Sequence, residues 1–179
     1  MNSILQFQQE NSLREKYAGL VARINGCKAC EFHSSGGLRD IGNGIVPSNI
    51  MFVGEAFGCD EKEQGIPFVG ATGQYLHQKL KESHISLDIN SLSENKTTGF
   101  ICNTICCWPP PDENSKSQNG KPSEVSINAC KTHLWSKICF VQPKIIVTLG
   151  EYSTRTLLSI SWNEKLRMAD FVCKAQERN

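Results

Sequence analysis

The sequence predicts an α/β fold: a three-layer sandwich in which helices flank a short, parallel central sheet. Strand-like and helix-like segments alternate along the chain, and the strand candidates are continuous apolar runs. Such runs are typical of parallel strands that are buried on both faces. The 179 residues suffice for one domain with a proper core and are too few for two ordinary ones. We therefore expect a single domain over 1–179, with three clear strands and a fourth that the pattern does not place.

Each element is predicted from a local pattern. The apolar residues of 3–25 have nearly helical spacing that ends at Gly26, which makes 1–26 an N-terminal helix. Ser123 is the expected N-cap of a later helix. Residues 161–179 form an atypical C-terminal tail, in which "ADFVCKA" is a candidate edge strand. The alternating elements between these ends are strands at 49–54, 98–107 and 143–150 and helices at 71–83, 123–141 and 151–160.

Composition excludes some classes of protein. A net charge of +1 gives no basic field that would by itself indicate nucleic acid, although a small local site can bind DNA through backbone amides and helix N-termini. The first twenty residues lack the apolar core of a signal peptide, and no apolar run is long enough to cross a membrane. We expect a cytoplasmic, nucleoid-associated protein whose thiols stay reduced and that has no membrane partner.

Nine cysteines are many for such a chain. Cys27 and Cys30 have C-x-x-C spacing, and Cys107 and Cys130 could complete a four-thiolate site for zinc or an iron–sulfur cluster. The alternative is a redox pair or chance spacing, with the other thiols buried as small apolar groups. Cys106 competes with Cys107, because neighbouring strand residues point to opposite faces and only one of them can be a ligand. The remaining cysteines lie in apolar or isolated settings: Cys59, Cys102, Cys139 and Cys173.

Three segments resemble signature motifs of the family 4 uracil-DNA glycosylases. The first, "VPSNIMFVGEAFGCDEKEQGIPFVGATGQYL", resembles G-E-A-P-G followed by an acidic stretch and G-x-P-F-V-G-x-[AS]-G-x-x-L. The second, "CNTICCWPP", resembles T-N-x-x-K-C-R-P-P. The third, "INACKTHLWSKICFVQPKIIVTLG", resembles a block in which a Cys-bearing helix leads to R-P-K-x-[IV]-[IV]-x-L-G. The resemblance runs in order from Cys27 to about Leu158.

This resemblance implies a DNA glycosylase of base excision repair that acts, as a monomer, on a base flipped out of DNA. It also implies a structural [4Fe–4S] cluster, with zinc as the alternative, and its ligands would be Cys27, Cys30, Cys107 and Cys130. The interval between the last two contains "DENSKSQNGKP", which is longer than the family usually has and is expected to be a surface insertion.

A glycosylase needs a stacking surface, a reader of the base edge and a carboxylate beside the sugar. The resemblance assigns Glu55 to positioning or activating water, with Glu61 in support. Phe68 fits the stacking role and Asn103 the reading of uracil, although a core aromatic and a turn-capping Asn are the alternatives. The candidate substrate-binding residues also include Gly54, directly before Glu55, and Phe57, two residues after it.

The sequence departs from the family pattern in three places. Phe57 replaces a Pro, and Cys106 and Trp108 replace a Lys and an Arg that could contact phosphates. Trp108 could instead stack at the DNA or pack on its own domain. The family's C-terminal His-Pro-Ser motif, whose His donates to the departing base, has no counterpart, because all four histidines precede the third strand: His33, His77, His84 and His133. Loss of such a donor typically costs roughly 10²–10³ in rate.

Three functions follow as hypotheses. The first is a glycosylase for uracil or a related modified pyrimidine, slowed by the missing motif. A variant of this first hypothesis is a glycosylase for another modified base. The second hypothesis is a catalytically impaired iron–sulfur protein that binds DNA or recognises a lesion. The third is a decayed gene product whose C-terminal residues have no function.

Overall fold

The computed structural model describes residues 2–91 and 96–168. The helices and strands follow one another in the order that the sequence predicts, with additions. The helices are α1 (Asn2–Asn25), α2 (Cys59–Gln64), α3 (Ala71–Glu82), α4 (Glu124–Val141) and α5 (Glu151–Leu158). The strands are β1 (Asn43–Gly44), β2 (Ile50–Gly54), β3 (Ile85–Ser86), β4 (Thr97–Asn103) and β5 (Ile145–Thr148). Short 3₁₀ helices lie at Glu31–Ser34 and Ile89–Ser91.

The sheet has its longest strands at the centre, in the order β1-β4-β2-β5. β2 runs parallel to β4 and to β5, with Ile50 opposite both Gly99 and Ile145. This parallel core confirms the predicted α/β class. The sheet is mixed, however, because β1 pairs with β4 in the antiparallel sense, while β3 pairs in parallel with the start of β4. The predicted strand over 98–107 was too long: β4 ends at Asn103.

Side chains that alternate along the strands build a core on each face of the sheet. On one face, Met51 and Phe100 pack with Leu134 of α4 and Leu157 of α5. The other face packs against α3, and there the buried cluster consists of Phe52, Leu80 and Ile101. α1 covers α4 through a further cluster at its C-terminal end. Helices therefore lie on both faces, as a three-layer sandwich requires.

The predicted caps and ends are largely found. The Ser123 hydroxyl accepts the Ser126 N–H at 3.0 Å, so Ser123 is the N-cap of α4. The tail that begins at residue 161 runs back to α5, where Arg155 donates to the Ser161 carbonyl at 2.6 Å and to the Glu164 carbonyl at 2.9 Å. The candidate edge strand "ADFVCKA", with Cys173, lies outside the described residues. In the part of the chain that is described, no helix has the length and apolarity to cross a membrane.

Candidate active site

A cavity of about 700 Å³ lies at the carboxyl ends of the parallel strands and is the candidate functional site. Gly54 ends β2 and Glu55 follows it, Asn103 ends β4, and Gly150 comes shortly after β5. All four residues line the cavity. Parallel sheets place ligands at this edge because the connections that leave neighbouring strands diverge there. The sheet therefore brings together the first two motifs that the sequence singles out.

Phe68 and Asn103 meet over the backbone of Gly54. A Cβ atom on Gly54 would lie 2.4 Å from Phe68 Cζ and 2.5 Å from Asn103 Oδ1, so neither side chain could keep its position. Asn103 is only 3% exposed but lines the cavity. An aromatic face and a buried amide consequently border the same small space, which suits a planar ligand with polar edges.

The loop that carries Phe68 is held in an uncommon conformation. Phe68 has φ = 62°, in the left-handed region that side-chain-bearing residues seldom adopt. Gly73 of α3 packs directly on it, since a Cβ there would be 1.9 Å from the Phe68 carbonyl oxygen. Pro67 is buried beside it. Backbone strain that the surroundings enforce in this way is a frequent property of ligand-binding sites.

Glu55 is half-buried at the cavity, and its charge is sensitive to its neighbours. Burial raises the pKa of the Glu55 carboxyl above its ordinary value, the nearby Lys121 acts to lower it, and Glu151 adds to the increase. A carboxylate with a raised pKa in a cleft is a common property of catalytic groups. Lys121 belongs to the end of the polar segment that the sequence reading treats as a surface insertion.

Glu61 lies on α2, a helix of six residues. The sequence pattern does not predict a helix in this acidic stretch. Gly70 donates its N–H to Glu61 Oε1 at 2.9 Å. The other carboxylate oxygen lies against Gly58, because a Cβ on that glycine would be 2.4 Å away. Glu61 therefore links Gly58 and Gly70, which lie on either side of α2 and Phe68. These contacts are consistent with a role in holding the loop that carries Phe68.

Phe57 lies elsewhere than the sequence reading suggests. Its ring is only 1% exposed, and Phe57 does not line the cavity. The side chain is among the largest fully buried ones in the described residues. It fills the interior beneath the loop, so the replacement of Pro at this position changes core packing and does not bring a ring to the ligand.

The polar segment 112–122 contributes a further wall that the sequence reading missed. Its residues Gln118 and Asn119 line the cavity. Trp108 Nε1 donates to Asn119 Oδ1 at 3.0 Å, and Lys62 Nζ lies 3.6 Å from the centre of the Trp108 ring. Trp108 thus packs on its own domain and links the segment to α2. No local signal could have revealed this, because the segment has neither periodicity nor a motif.

Electrostatic interactions between their thiols link the four predicted cluster ligands. Cys30 interacts electrostatically with Cys27, Cys107 with Cys30, and Cys130 with both Cys30 and Cys107. Arg39 donates from Nη1 to Cys107 Sγ. Among residues 2–91 and 96–168 no group of three or more His, Cys, Asp or Glu side chains is arranged around a single metal ion.

Cys106 occupies a different environment from Cys107. It packs against Leu20 and Ile24 of α1 and forms a hydrogen bond with Cys130. Burial raises the pKa of the Cys107 thiol to about 12, an effect that Arg39 opposes. Of the two neighbours, Cys107 is the one within electrostatic range of Cys30 as well as Cys130.

Comparison with known proteins gives consistent matches. The profile of the uracil DNA glycosylase superfamily matches residues 41–176. A type-4 uracil-DNA glycosylase of Sulfurisphaera tokodaii is 37% identical over 169 residues, which cover 92% of this chain and 69% of the relative. The type-4 enzyme of Pyrobaculum aerophilum is 30% identical over 82% of the chain and 67% of the relative. The type-4 enzyme of Thermotoga maritima is 33% identical over 76% and 64%. The match thus spans about two thirds of each relative's length.

Proposed function

Because the chain belongs to the uracil-DNA glycosylase superfamily, a family of N-glycosyl hydrolases that act in base excision repair, we propose that it removes uracil, or a closely related pyrimidine, from DNA. The observation that carries this proposal is the convergence of Phe68 and Asn103 over Gly54, beside Glu55. A stacking face, an amide and a carboxylate in one cleft are the groups that hydrolysis of a pyrimidine nucleotide requires.

The amide of Asn103 would read the base. Its oxygen can accept the N3–H of uracil and its NH₂ can donate to O4, whereas cytosine presents an acceptor and a donor at these positions. The Phe68 ring would stack on the flipped base. Because the amide is almost fully buried, a base that fails to match it leaves polar groups unpaired, which is the costly outcome that gives discrimination.

The carboxylate of Glu55 would serve the sugar. As the C1′–N1 bond breaks, its electron pair leaves with the base and positive charge develops on the sugar, which a nearby carboxylate stabilises. A water molecule then bonds to C1′, and Glu55 can accept the proton that this water loses. None of the four histidines of this sequence is among the residues that line the cavity.

We further propose that Cys27, Cys30, Cys107 and Cys130 hold a [4Fe–4S] cluster. Cys107 is favoured over Cys106 because its thiol interacts electrostatically with both Cys30 and Cys130. A cluster bound there would act structurally and tie the 27–30 turn and the segment after β4 to α4. Ser123 of the α4 N-cap already donates its hydroxyl to Glu31 Oε1, so these segments are also joined by the chain itself.

The function is tested with the purified protein and oligonucleotides that carry one uracil, cytosine or thymine, in single- and double-stranded form. Release of free uracil with an alkali-sensitive abasic site, from the uracil substrates alone, is the expected result. Enzyme is used in excess over DNA so that a single round of base release is measured. Specific binding to uracil DNA without product would instead support the hypothesis of a catalytically impaired binding protein, and preference for a different pyrimidine would redefine the substrate.

Replacing any of the four proposed ligands by Ser should lower the iron content well below four per chain and lower Tm by on the order of 10 °C or more. Iron analysis, visible absorbance and thermal unfolding measure this. Cys139→Ser, at an exposed position of α4, is the matched control and should keep its iron. Retention of iron in Cys107→Ser together with its loss in Cys106→Ser would reverse the choice between these neighbours.

The pH dependence should respond in opposite directions to two charge changes. Glu55 is active as the anion and its pKa is raised, so activity should fall as the pH drops through that raised value. Lys121→Gln removes a cation that lowers the pKa of Glu55 and should move the acidic limb to higher pH. Glu151→Gln removes an anion and should move that limb to lower pH.

The pH profile of the single-turnover rate measures both shifts. Lys116→Gln changes the same net charge as Lys121→Gln at an exposed position of the same segment, and it should leave the limb in place. Equal shifts in Lys116→Gln and Lys121→Gln would mean that the net charge of the segment sets the pH profile, and not the electrostatic interaction of Lys121 with Glu55.

A further inference from the structure

A fully buried ion pair lies behind the base-reading side of the cavity. Lys137 Nζ of α4 is 3.3 Å from Asp40 Oδ2, and both side chains are 0% exposed. Lys137 Nζ meets hydrogen-bond geometry with no described residue, so its contact with Asp40 is an ion pair only. Burying two charges is costly, and an apolar pair of similar volume often gives equal or greater stability. Stability alone therefore does not account for this pair.

The same carboxylate contacts the strand that carries Asn103. The Asn103 backbone N–H donates to Asp40 Oδ2, while the Asp40 N–H donates to the Cys106 carbonyl at 2.8 Å. β1 pairs with β4 only at Phe100 and Ile101, so no neighbouring strand satisfies the edge of β4 at Asn103. Asp40 takes the place of that missing strand partner.

We propose that Asp40 and Lys137 are positioning residues that fix the end of β4 and so place the Asn103 amide for reading the base. This inference rests on the proposed function. Asp40 acts directly through its bond to the Asn103 N–H, and Lys137 acts through Asp40. A charged acceptor forms the shorter and stronger hydrogen bond, so the neutralising cation matters because it keeps the carboxylate ionised inside the protein.

The electrostatics of the pair agree with this assignment. Burial raises the pKa of the Asp40 carboxyl, and Lys137 and the Asn103 N–H oppose that increase. Burial works against the charge of Lys137, but Asp40 and the nearby Cys106 and Cys102 hold its pKa above the ordinary value. Without Lys137 the buried Asp40 would have no compensating cation and would favour the neutral form, which binds the Asn103 N–H more weakly.

The position of Asn103 tolerates little movement. Its Oδ1 would lie 2.5 Å from a Cβ on Gly54, and Phe68 Cζ would lie 2.4 Å from the same atom, so the amide, the ring and the Gly54 backbone are close together. A displacement of about 1 Å in a reacting or reading group can cost on the order of 10²-fold in rate. A loss of the backbone anchor should therefore appear in catalysis and not only in folding.

The test uses Lys137→Met and Asp40→Asn, each alone and combined with Asn103→Ala. Each single variant should lower the single-turnover rate on uracil DNA by about tenfold or more while affinity for abasic DNA, which has no base to read, stays unchanged. In the Asn103→Ala background both should have little further effect, because the group they position is gone. Lys144→Met, at an exposed position before β5, is the control and should match the wild type. The proposal would be overturned if the rate losses of the single variants multiplied in the double variants. It would also be overturned if affinity for abasic DNA fell as much as the single-turnover rate.

A second measurement does not depend on activity. Hydrogen exchange of the Asn103 backbone N–H, followed by NMR in the intact chain, should be faster in Lys137→Met than in wild type. It should be unchanged in Lys144→Met. Faster exchange of the Asn103 N–H in Lys137→Met, in a protein that releases no base, would refute the proposed function. It would still support the role of Asp40 and Lys137 in holding the end of β4. Unchanged exchange would refute the anchor whatever the activity. If Lys137→Met fails to fold, the near-isosteric Asp40→Asn gives the same reading.

Discussion

Glu55→Gln is expected to reduce uracil release by about 10²–10⁴-fold, the usual contribution of a positioned acid–base group. Gln has nearly the same size and keeps the half-buried side chain in place, but it carries no negative charge to stabilise the developing sugar cation and accepts no proton from water. Burial already disfavours the charge on Glu55, so the neutral variant should be at least as stable as the wild type. Single-turnover rates and thermal unfolding measure the two effects separately.

Glu63→Gln provides the matched control for this experiment. Glu63 lies in the same acidic stretch, but its side chain is 70% exposed and its ion pair with Lys62 is long, at 3.7 Å. Exposed pairs of this kind contribute little, so rate and Tm should both stay close to wild type. Equal losses in Glu55→Gln and Glu63→Gln would show that the acidic stretch acts through its overall charge, and an active Glu55→Gln would remove Glu55 from the chemistry.

The fold could be predicted where the local pattern matches the environment. β2 is an apolar run because helices cover both faces of the sheet, and Ile146 of the edge strand β5 packs against the same core. α4 has a recognisable N-cap in Ser123. β1 and β3 have two residues each, too few for any periodicity, and they exist only because β4 offers them an edge. α2 was missed since its six residues, "CDEKEQ", expose no apolar face and read as a solvated loop.

The site was predictable to the extent that its residues follow strands. Glu55 and Asn103 come directly after or at the end of β2 and β4, and parallel pairing then brings them to one edge. The contribution of Asn119 depends on its bond to Trp108, and the pair Asp40 and Lys137 joins residues far apart in sequence. Such contacts leave no local pattern, because each partner alone looks like an ordinary polar residue.

Contacts at the cavity link the acidic segment to the polar segment 112–122. Lys62 of α2 lies over the Trp108 ring, and Trp108 donates a hydrogen bond to Asn119. Glu61, one residue before Lys62, joins Gly70 at the start of α3. The acidic segment therefore contacts both Trp108 and the residue before α3, close to Phe68.

Gly54→Ala is expected to abolish most activity, by about 10²-fold or more, without unfolding the protein. The new Cβ would lie 2.4 Å from Phe68 Cζ and 2.5 Å from Asn103 Oδ1, so the stacking ring and the reading amide would both have to shift. The nearest atoms are side-chain atoms, and no backbone atom is among them. The strand pairing of Gly54 with Asn103 can therefore persist while the geometry that discriminates the base is lost.

The comparison with Gly19→Ala separates this steric effect from the general consequences of adding a methyl group. A Cβ on Gly19 in α1 would contact only Arg23 Nη1, at an ordinary 3.6 Å, so that variant should keep full activity and gain roughly 0.5–1 kcal/mol in free energy of unfolding from better helix propensity. Single-turnover rates, abasic-DNA affinity and Tm are measured for both. Gly54→Ala should retain folding and abasic-DNA binding but lose uracil release. Full activity in Gly54→Ala would mean that Phe68 and Asn103 do not enclose the base, because no arrangement of the two side chains around an added Cβ preserves the present pocket.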